Sequence, residues 1–240
     1  MKPIPSSESG PLLAFGAHPD DIEFGCGGVI ALETRRGRMV EFVVCSRGEA
    51  GTNGTPEERT REAEKAATLL RARLRWLELD GDAHLEVRAR HIITLAKIIR
   101  EVRPQTILAP SLVQNQHPDH WRLGQCVRDA ARLARYGGLA ELKDLAPHPV
   151  GQLLFYNLAS DADPVGVQPI LIDVSEEEIL KTWTEAMDAH ASQMKTRRYA
   201  ELQLARATVT GGRCGVKAAI ALYPNDPLVF SSLAPIAGLA

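Results

Sequence analysis

The chain has 240 residues, 45% hydrophobic and 24% charged, with a formal net charge of −2. These values fit one large α/β domain, or at most a domain with an appended subdomain, and give no electrostatic case for nucleic acid or an acidic membrane surface as partner. No stretch approaches the roughly 20 apolar residues that cross a bilayer, and residues 1–8 lack the apolar centre of a signal peptide.

Strand-like and helix-like segments alternate along the chain. Residues 12–17 form a short apolar run that predicts a buried strand, followed by a glycine-rich stretch (Gly25, Gly27, Gly28) and a helix to about residue 36. Residues 39–45 predict strand 2. Thr55, Pro56 and Glu58 then announce a helix over 56–71, with Thr55 as N-cap, Pro56 in the first helical position and Glu58 closing a capping box. Residues 74–79 predict strand 3. Arg71, Arg73 and Arg75, at and before its start, alternate with apolar residues and mark one solvated strand face. Residues 91–102 predict an amphipathic helix ended by Pro104, and 106–109 strand 4. A further helix runs through Cys126 and Leu133. Residues 153–158 and 169–174 read as two more strands. Ser175 to Glu178 reads as a second capping box, opening a helix toward His190, and a last helix spans about 198–207.

The pattern predicts a Rossmann-like, mostly parallel sheet in the order 3-2-1-4-5 with an added C-terminal strand and helices on both faces. The expected organisation is one domain over residues 1–240, with a core at about 12–175 and a helical completion at about 175–240. The four cysteines (Cys26, Cys45, Cys126, Cys214) show no Cys-x-x-Cys pair and read as free thiols of a reducing cytoplasm.

Two tetrapeptides carry the chemistry. His18-Pro19-Asp20-Asp21 directly follows strand 1, and His117-Pro118-Asp119-His120 follows strand 4. In the order 3-2-1-4 these strands are neighbours and the winding reverses between them, so both motifs open into one crevice beyond the carboxyl ends of the sheet. Together they offer three metal ligands and still leave a carboxylate and an imidazole. Two imidazoles and one carboxylate suit Zn²⁺ with a place left for water, although Fe²⁺ accepts the same donors. A lone His-Pro-Asp is commonly just a turn with its Asp capping a helix; a pair at two adjacent strand ends favours the metal. The Gly25–Gly28 stretch has neither the dinucleotide nor the P-loop pattern, and close packing is the expected reason for its glycines. His84, His91, His148 and His190 stand alone and read as surface or ordinary core.

The motifs Gly16-Ala17-His18-Pro19-Asp20-Asp21-Ile22-Glu23, Gly25-x-Gly27-Gly28 and His117-Pro118-Asp119-His120 resemble the LmbE-like/PIG-L N-acetylglucosaminyl deacetylases. The loop Arg47 to Thr55 with Glu58-Arg59, together with Phe155-Tyr156-Asn157, Ser192-Gln193 and Tyr199-x-Glu201-x-x-x-Ala205-Arg206, is similar to the bacillithiol-pathway branch. The resemblance implies His18, Asp21 and His120 as ligands of one divalent metal, Zn²⁺ or Fe²⁺. It implies Asp20 as general base and then acid, His117 as oxyanion stabiliser and Asp119 as its orienting partner. It also implies Arg59 and Tyr199 as substrate contacts, a small N-acetylated sugar as substrate, and a cytoplasmic homo-oligomer, trimeric or hexameric. From the residues alone, Arg59 could equally pair with Glu58 or Glu62 on its own helix, and Tyr199 could be core. One departure is Gln116, where the branch often carries arginine; it bears on the substrate's acidic group. Other readings of the cluster are a deacetylase of another N-acetylated sugar or a chitooligosaccharide, a metal-dependent phosphoesterase, and a non-catalytic sugar-binding protein.

Overall fold

The computed structural model describes residues 10–114, 117–159 and 162–229. Five parallel strands follow the expected order: β1 (Leu12–Gly16), β2 (Val40–Val44), β3 (Arg73–Trp76), β4 (Thr106–Pro110) and β5 (Gln152–Tyr156). Two more complete the sheet, β6 (Ile170–Asp173) and β7 (Ala219–Pro224), giving the order β3-β2-β1-β4-β5-β7-β6. β7 runs antiparallel to both β5 and β6. The last third of the chain is therefore not wholly helical. Its final strand enters between the two strands that precede it in sequence, pushing β6 to the edge.

Six helices cover the two faces among the described residues: α1 (Asp21–Arg35), α2 (Pro56–Leu69), α3 (Ala89–Val102), α4 (Pro118–Leu133), α5 (Glu177–Asp188) and α6 (Tyr199–Gly212). The period-2 alternation of β1 divides the core between them. Leu12 and Ala14 join the layer of α1, α2, α5 and α6, while Leu13 and Phe15 join that of α3 and α4. Because both faces are covered, β1 reads as a continuous apolar run.

Local capping explains where some helices begin. The Thr55 hydroxyl accepts the Glu58 N–H at 3.2 Å, with Pro56 in the first helical turn, as its sequence predicts. The second capping box does not form. The Ser175 hydroxyl turns instead to Ala218, donating to its carbonyl and accepting its N–H at 3.0 Å, and α5 starts without a side-chain cap. The entry of β7 beside this segment, a tertiary event, outbids the local cap.

The glycines of α1 serve close packing. A side chain at Gly25 would stand 2.1 Å from the ring of Tyr156, and one at Gly27 2.7 Å from Trp183. Neither ring can retreat. Tyr156 is fully buried with its hydroxyl donating to Phe15 O at 2.7 Å, and the Trp183 indole N–H donates to Glu23 O at 2.7 Å. Gly25→Ala is expected to destabilise the fold by roughly 1–3 kcal/mol through overpacking, read as a lower urea midpoint at unchanged m-value. An unchanged midpoint would mean that Tyr156 can move.

Candidate active site

The two His-Pro-Asp motifs meet beyond the carboxyl ends of β1 and β4. His18 and Asp20 lie in the turn after β1, Asp21 opens α1, and His117 caps α4, which carries Asp119 and His120. Asp20 adopts φ 115°, a conformation L residues avoid. The turn is drawn tight by Asp21, whose Oδ2 accepts the N–H groups of Ala17 at 2.8 Å and His18 at 3.0 Å. That leaves Asp21 Oδ1 free to face His120.

Three donor atoms converge here. His18 Nδ1 lies 3.2 Å from His120 Nε2, and Asp21 Oδ1 lies 3.1 Å from the same nitrogen. Asp21 Oδ2 is 3.5 Å from His18 Nδ1. Ligands about 2.0–2.1 Å from a tetrahedral Zn²⁺ stand about 3.3 Å apart, so the donor set and its spacing fit one such cation. His18, Asp21 and His120 form a group able to hold a metal ion. Burial alone would raise the Asp21 carboxyl, but His120 and His18 hold it well below the usual carboxylate range.

Beside this group stands Asp20. Burial, and then the neighbouring Asp21 charge, push its carboxyl up to about 6, against the opposing pull of Arg59, His190 and His18. Arg59 is buried, and pairs with neither Glu58 nor Glu62. It donates to Gly48 O and to Pro19 O, both at 3.0 Å, and its Nη2 lies 3.4 Å from Asp20 Oδ2. The cation thus grips both the backbone and the carboxylate of the turn that carries Asp20.

His117 is partly exposed to the cleft, edge-on to His18 with ring centroids 4.5 Å apart. Its Nδ1 accepts the Asp119 N–H at 3.3 Å, which leaves Nε2 as the protonated nitrogen of the neutral ring. Burial and the positive neighbour His18 lower its pKa. The carboxylate of Asp119 stands 4.0 Å from His117 Nδ1, and is bound more closely to the Ala83 N–H at 2.7 Å. Tyr199 begins α6, packs its ring 5.4 Å from that of Phe24, and lines the cleft with Gln193 and Arg197. The cleft measures about 770 Å³. Gln116 lies outside the described residues.

One site residue carries no motif in the sequence. Asp82, in the loop after β3, is buried with its Oδ1 3.0 Å from His18 Nε2. The only local sign is the turn residue Gly81, which marks a bend but not where it leads. Of the lone histidines, His91 and His190 are buried; His190 pairs with Glu23 at 3.4 Å. His84 and His148 bond to backbone carbonyls.

The profile of the family described as PIG-L, GlcNAc-PI de-N-acetylase, matches residues 13–131, the stretch that holds both motifs. An uncharacterized deacetylase, YaiS of Escherichia coli K12, is 32% identical over 127 residues, covering 50% of this chain and 68% of that protein. The chain belongs to the PIG-L family. Among solved structures, the conserved protein TT1542 of Thermus thermophilus superposes with a TM-score of 0.81 at 29% identity, over 91% of this chain and 96% of that one. The N,N'-diacetylchitobiose deacetylase of Pyrococcus horikoshii shares the fold at a TM-score of 0.79 and 22% identity, over 92% of this chain and 85% of that one. PIG-L membership thus accounts for the two motifs and for the sheet that joins them. No described helix of this PIG-L protein is long and apolar enough to cross a membrane.

Proposed function

We propose that this PIG-L protein is a metal-dependent amidase that removes acetate from an N-acetylglucosamine conjugate. The observation that carries the reading is the convergence of His18, Asp21 and His120 with Asp20 at the same wall of the cleft. His18 Nδ1, Asp21 Oδ1 and His120 Nε2 are the atoms that would hold the cation. A divalent ion bound there, Zn²⁺ by donor type, supplies Lewis-acid polarisation and a water acidified toward neutrality.

The chain's own groups do the rest. Asp20, with its carboxyl near 6, takes a proton from the attacking water as oxygen bonds to the acetyl carbon. His117 offers its Nε2–H to the oxyanion that develops on the carbonyl oxygen, a contact worth roughly 2.7–4 kcal/mol where such donors have been removed. Asp20 then passes its proton to the amine as the C–N bond breaks, leaving acetate and a free amino sugar. Tyr199 and Arg197 line the same cleft and are the groups assigned to the sugar and its aglycone. The finer assignment is N-acetylglucosaminyl malate, on the way to a low-molecular-weight thiol. It rests on the likeness of the Arg47–Thr55 loop to that branch.

The deciding experiment measures amine release at controlled zinc from N-acetylglucosaminyl malate, free N-acetylglucosamine, a chitobiose and an inositol conjugate. Release from none of them sinks the amidase reading. Release from all but the malate conjugate corrects only the aglycone.

The grip of Arg59 on Asp20 makes a separate prediction. Arg59→Lys loses the second branch of the fork and with it the hold on Pro19 O or Gly48 O. We expect kcat to fall by about tenfold or more, short of the roughly 10²–10⁴-fold that losing the positioned acid/base itself costs, with KM nearly constant. A rise in KM at constant kcat would instead make Arg59 a substrate contact.

A further inference from the structure

A second group of candidate ligands lies behind the first: His18, Asp82, His117 and Asp119. It shares His18 with the metal group but uses the other face of the ring. His18 Nδ1 points to Asp21 and His120, while Nε2 points to Asp82 Oδ1 at 3.0 Å and Asp119 Oδ2 at 3.6 Å. Two cations bridged by one imidazole would require removing both of its ring protons. The arrangement suits a single cation at Nδ1 and an N–H at Nε2.

We propose that Asp82 is a positioning residue for the metal ligand His18, fixing the tautomer that leaves Nδ1 unprotonated. This rests on the metal reading of the cleft. His18 Nε2 is buried with no well-directed hydrogen-bond partner, and Asp82 Oδ1, 3.0 Å away, is the nearest acceptor for its proton. A buried donor left unpaired is costly, and the ring is driven toward that acceptor. Carboxylates behind ligating histidines set ring orientation and strengthen the ligand.

The loop that delivers Asp82 is built for the task. Asp80, Gly81 and Ala83 all have positive φ (64°, 87° and 66°), two of them without glycine's freedom. Such strain persists only where the surroundings over-determine it, and here three carboxylates do so. Glu49 accepts the Asp82 N–H at 2.7 Å, Asp119 accepts the Ala83 N–H at 2.7 Å, and Asp80 pairs with His91 at 3.3 Å. The free oxygen of Asp82, Oδ2, accepts the Ala50 N–H at 3.1 Å. Both oxygens are thereby assigned, one to the loop and one to His18.

Asp82→Asn cannot keep both contacts. Its amide N–H₂ must face either Ala50 N–H or His18 Nε2, and in the second case it donates to Nε2 and moves the ring proton to Nδ1. The test is zinc affinity, by competition with a chromophoric chelator, for the wild type, Asp82→Asn and Glu49→Gln, alongside thermal unfolding of the zinc-free proteins. Glu49→Gln loosens the same loop without touching His18. We expect one zinc per wild-type chain, affinity lowered about 10–100-fold in Asp82→Asn, and little change in Glu49→Gln. Equal affinity in wild type and Asp82→Asn overturns the proposal while leaving the metal site standing. So does a matched loss in both variants that tracks their thermal unfolding, which would make Asp82 a loop residue only. Two zincs in the wild type falling to one in Asp82→Asn overturns it in favour of a second ion. No tight zinc in the wild type removes this proposal and the metal reading together. Should Asp82→Asn not fold, ¹⁵N spectra of the zinc-loaded wild type decide: a proton on His18 Nε2 is expected, and its absence refutes the role.

Discussion

Asp20→Asn is expected to retain zinc and lose turnover by about 10²–10⁴-fold, the range of a positioned acid/base. The substitution is nearly isosteric, and its carbonyl oxygen can still accept from Arg59, whose Nη2 stands 3.4 Å from Asp20 Oδ2 in the wild type. Asp21, His18 and His120 keep their mutual contacts of 3.1–3.5 Å, so the metal group is untouched. What disappears is the ability to take up a proton, the property tuned by a carboxyl near 6. The check is kcat with zinc content measured on the same sample. Full activity in zinc-replete Asp20→Asn would remove Asp20 from the proton transfer and return the role of base to another group of the cleft.

His120→Ala is expected to lose both metal and turnover. His120 Nε2 lies within 3.2 Å of both His18 Nδ1 and Asp21 Oδ1. Without it the site has one imidazole and one carboxylate, too few to hold Zn²⁺ in the three-ligand manner of catalytic sites. The loss of zinc affinity should exceed the roughly 10–100-fold attributed to outer partners such as Asp82. A thermal shift gives a second readout. Zinc at a hundred times its dissociation constant stabilises a binding protein by about 2.7 kcal/mol, and this increment should vanish in His120→Ala. Chelation should abolish wild-type turnover, and added zinc should restore it to the wild type only. A variant that still gained stability and activity from zinc would show that the cation sits elsewhere.

The two variants part the roles that one short motif mixes. Asp20 and Asp21 are adjacent and chemically identical, yet burial drives the first carboxyl up while two imidazoles hold the second down. Neighbours displaced in opposite directions are the pattern by which one site obtains both an acid/base and a permanent anion.

The sequence by itself determined the parallel half of the sheet, the meeting of the two motifs and the reason for the α1 glycines. These follow from local periodicity and from a topological rule: strands 1 and 4 of such a sheet are neighbours, and their following turns must share a crevice. It also marked the Thr55 cap, which depends on residues three apart. Only the tertiary structure decided the rest. β7 takes its place by pairing with β5 and β6 from far along the chain, and in doing so draws Ser175 away from the cap that its local sequence favours. Arg59 turns from its helix neighbours to the carbonyl of Pro19, 40 residues away. Asp82 reaches His18 because a loop of left-handed residues carries it there, held by the carboxylates of Glu49 and Asp119 from two other segments. Periodicity and short motifs report which face a residue presents and how its own turn closes. They carry no signal for a contact made by one side chain across the sheet, and those contacts set Asp20 against Arg59, Asp21 against His120 and Asp82 against His18.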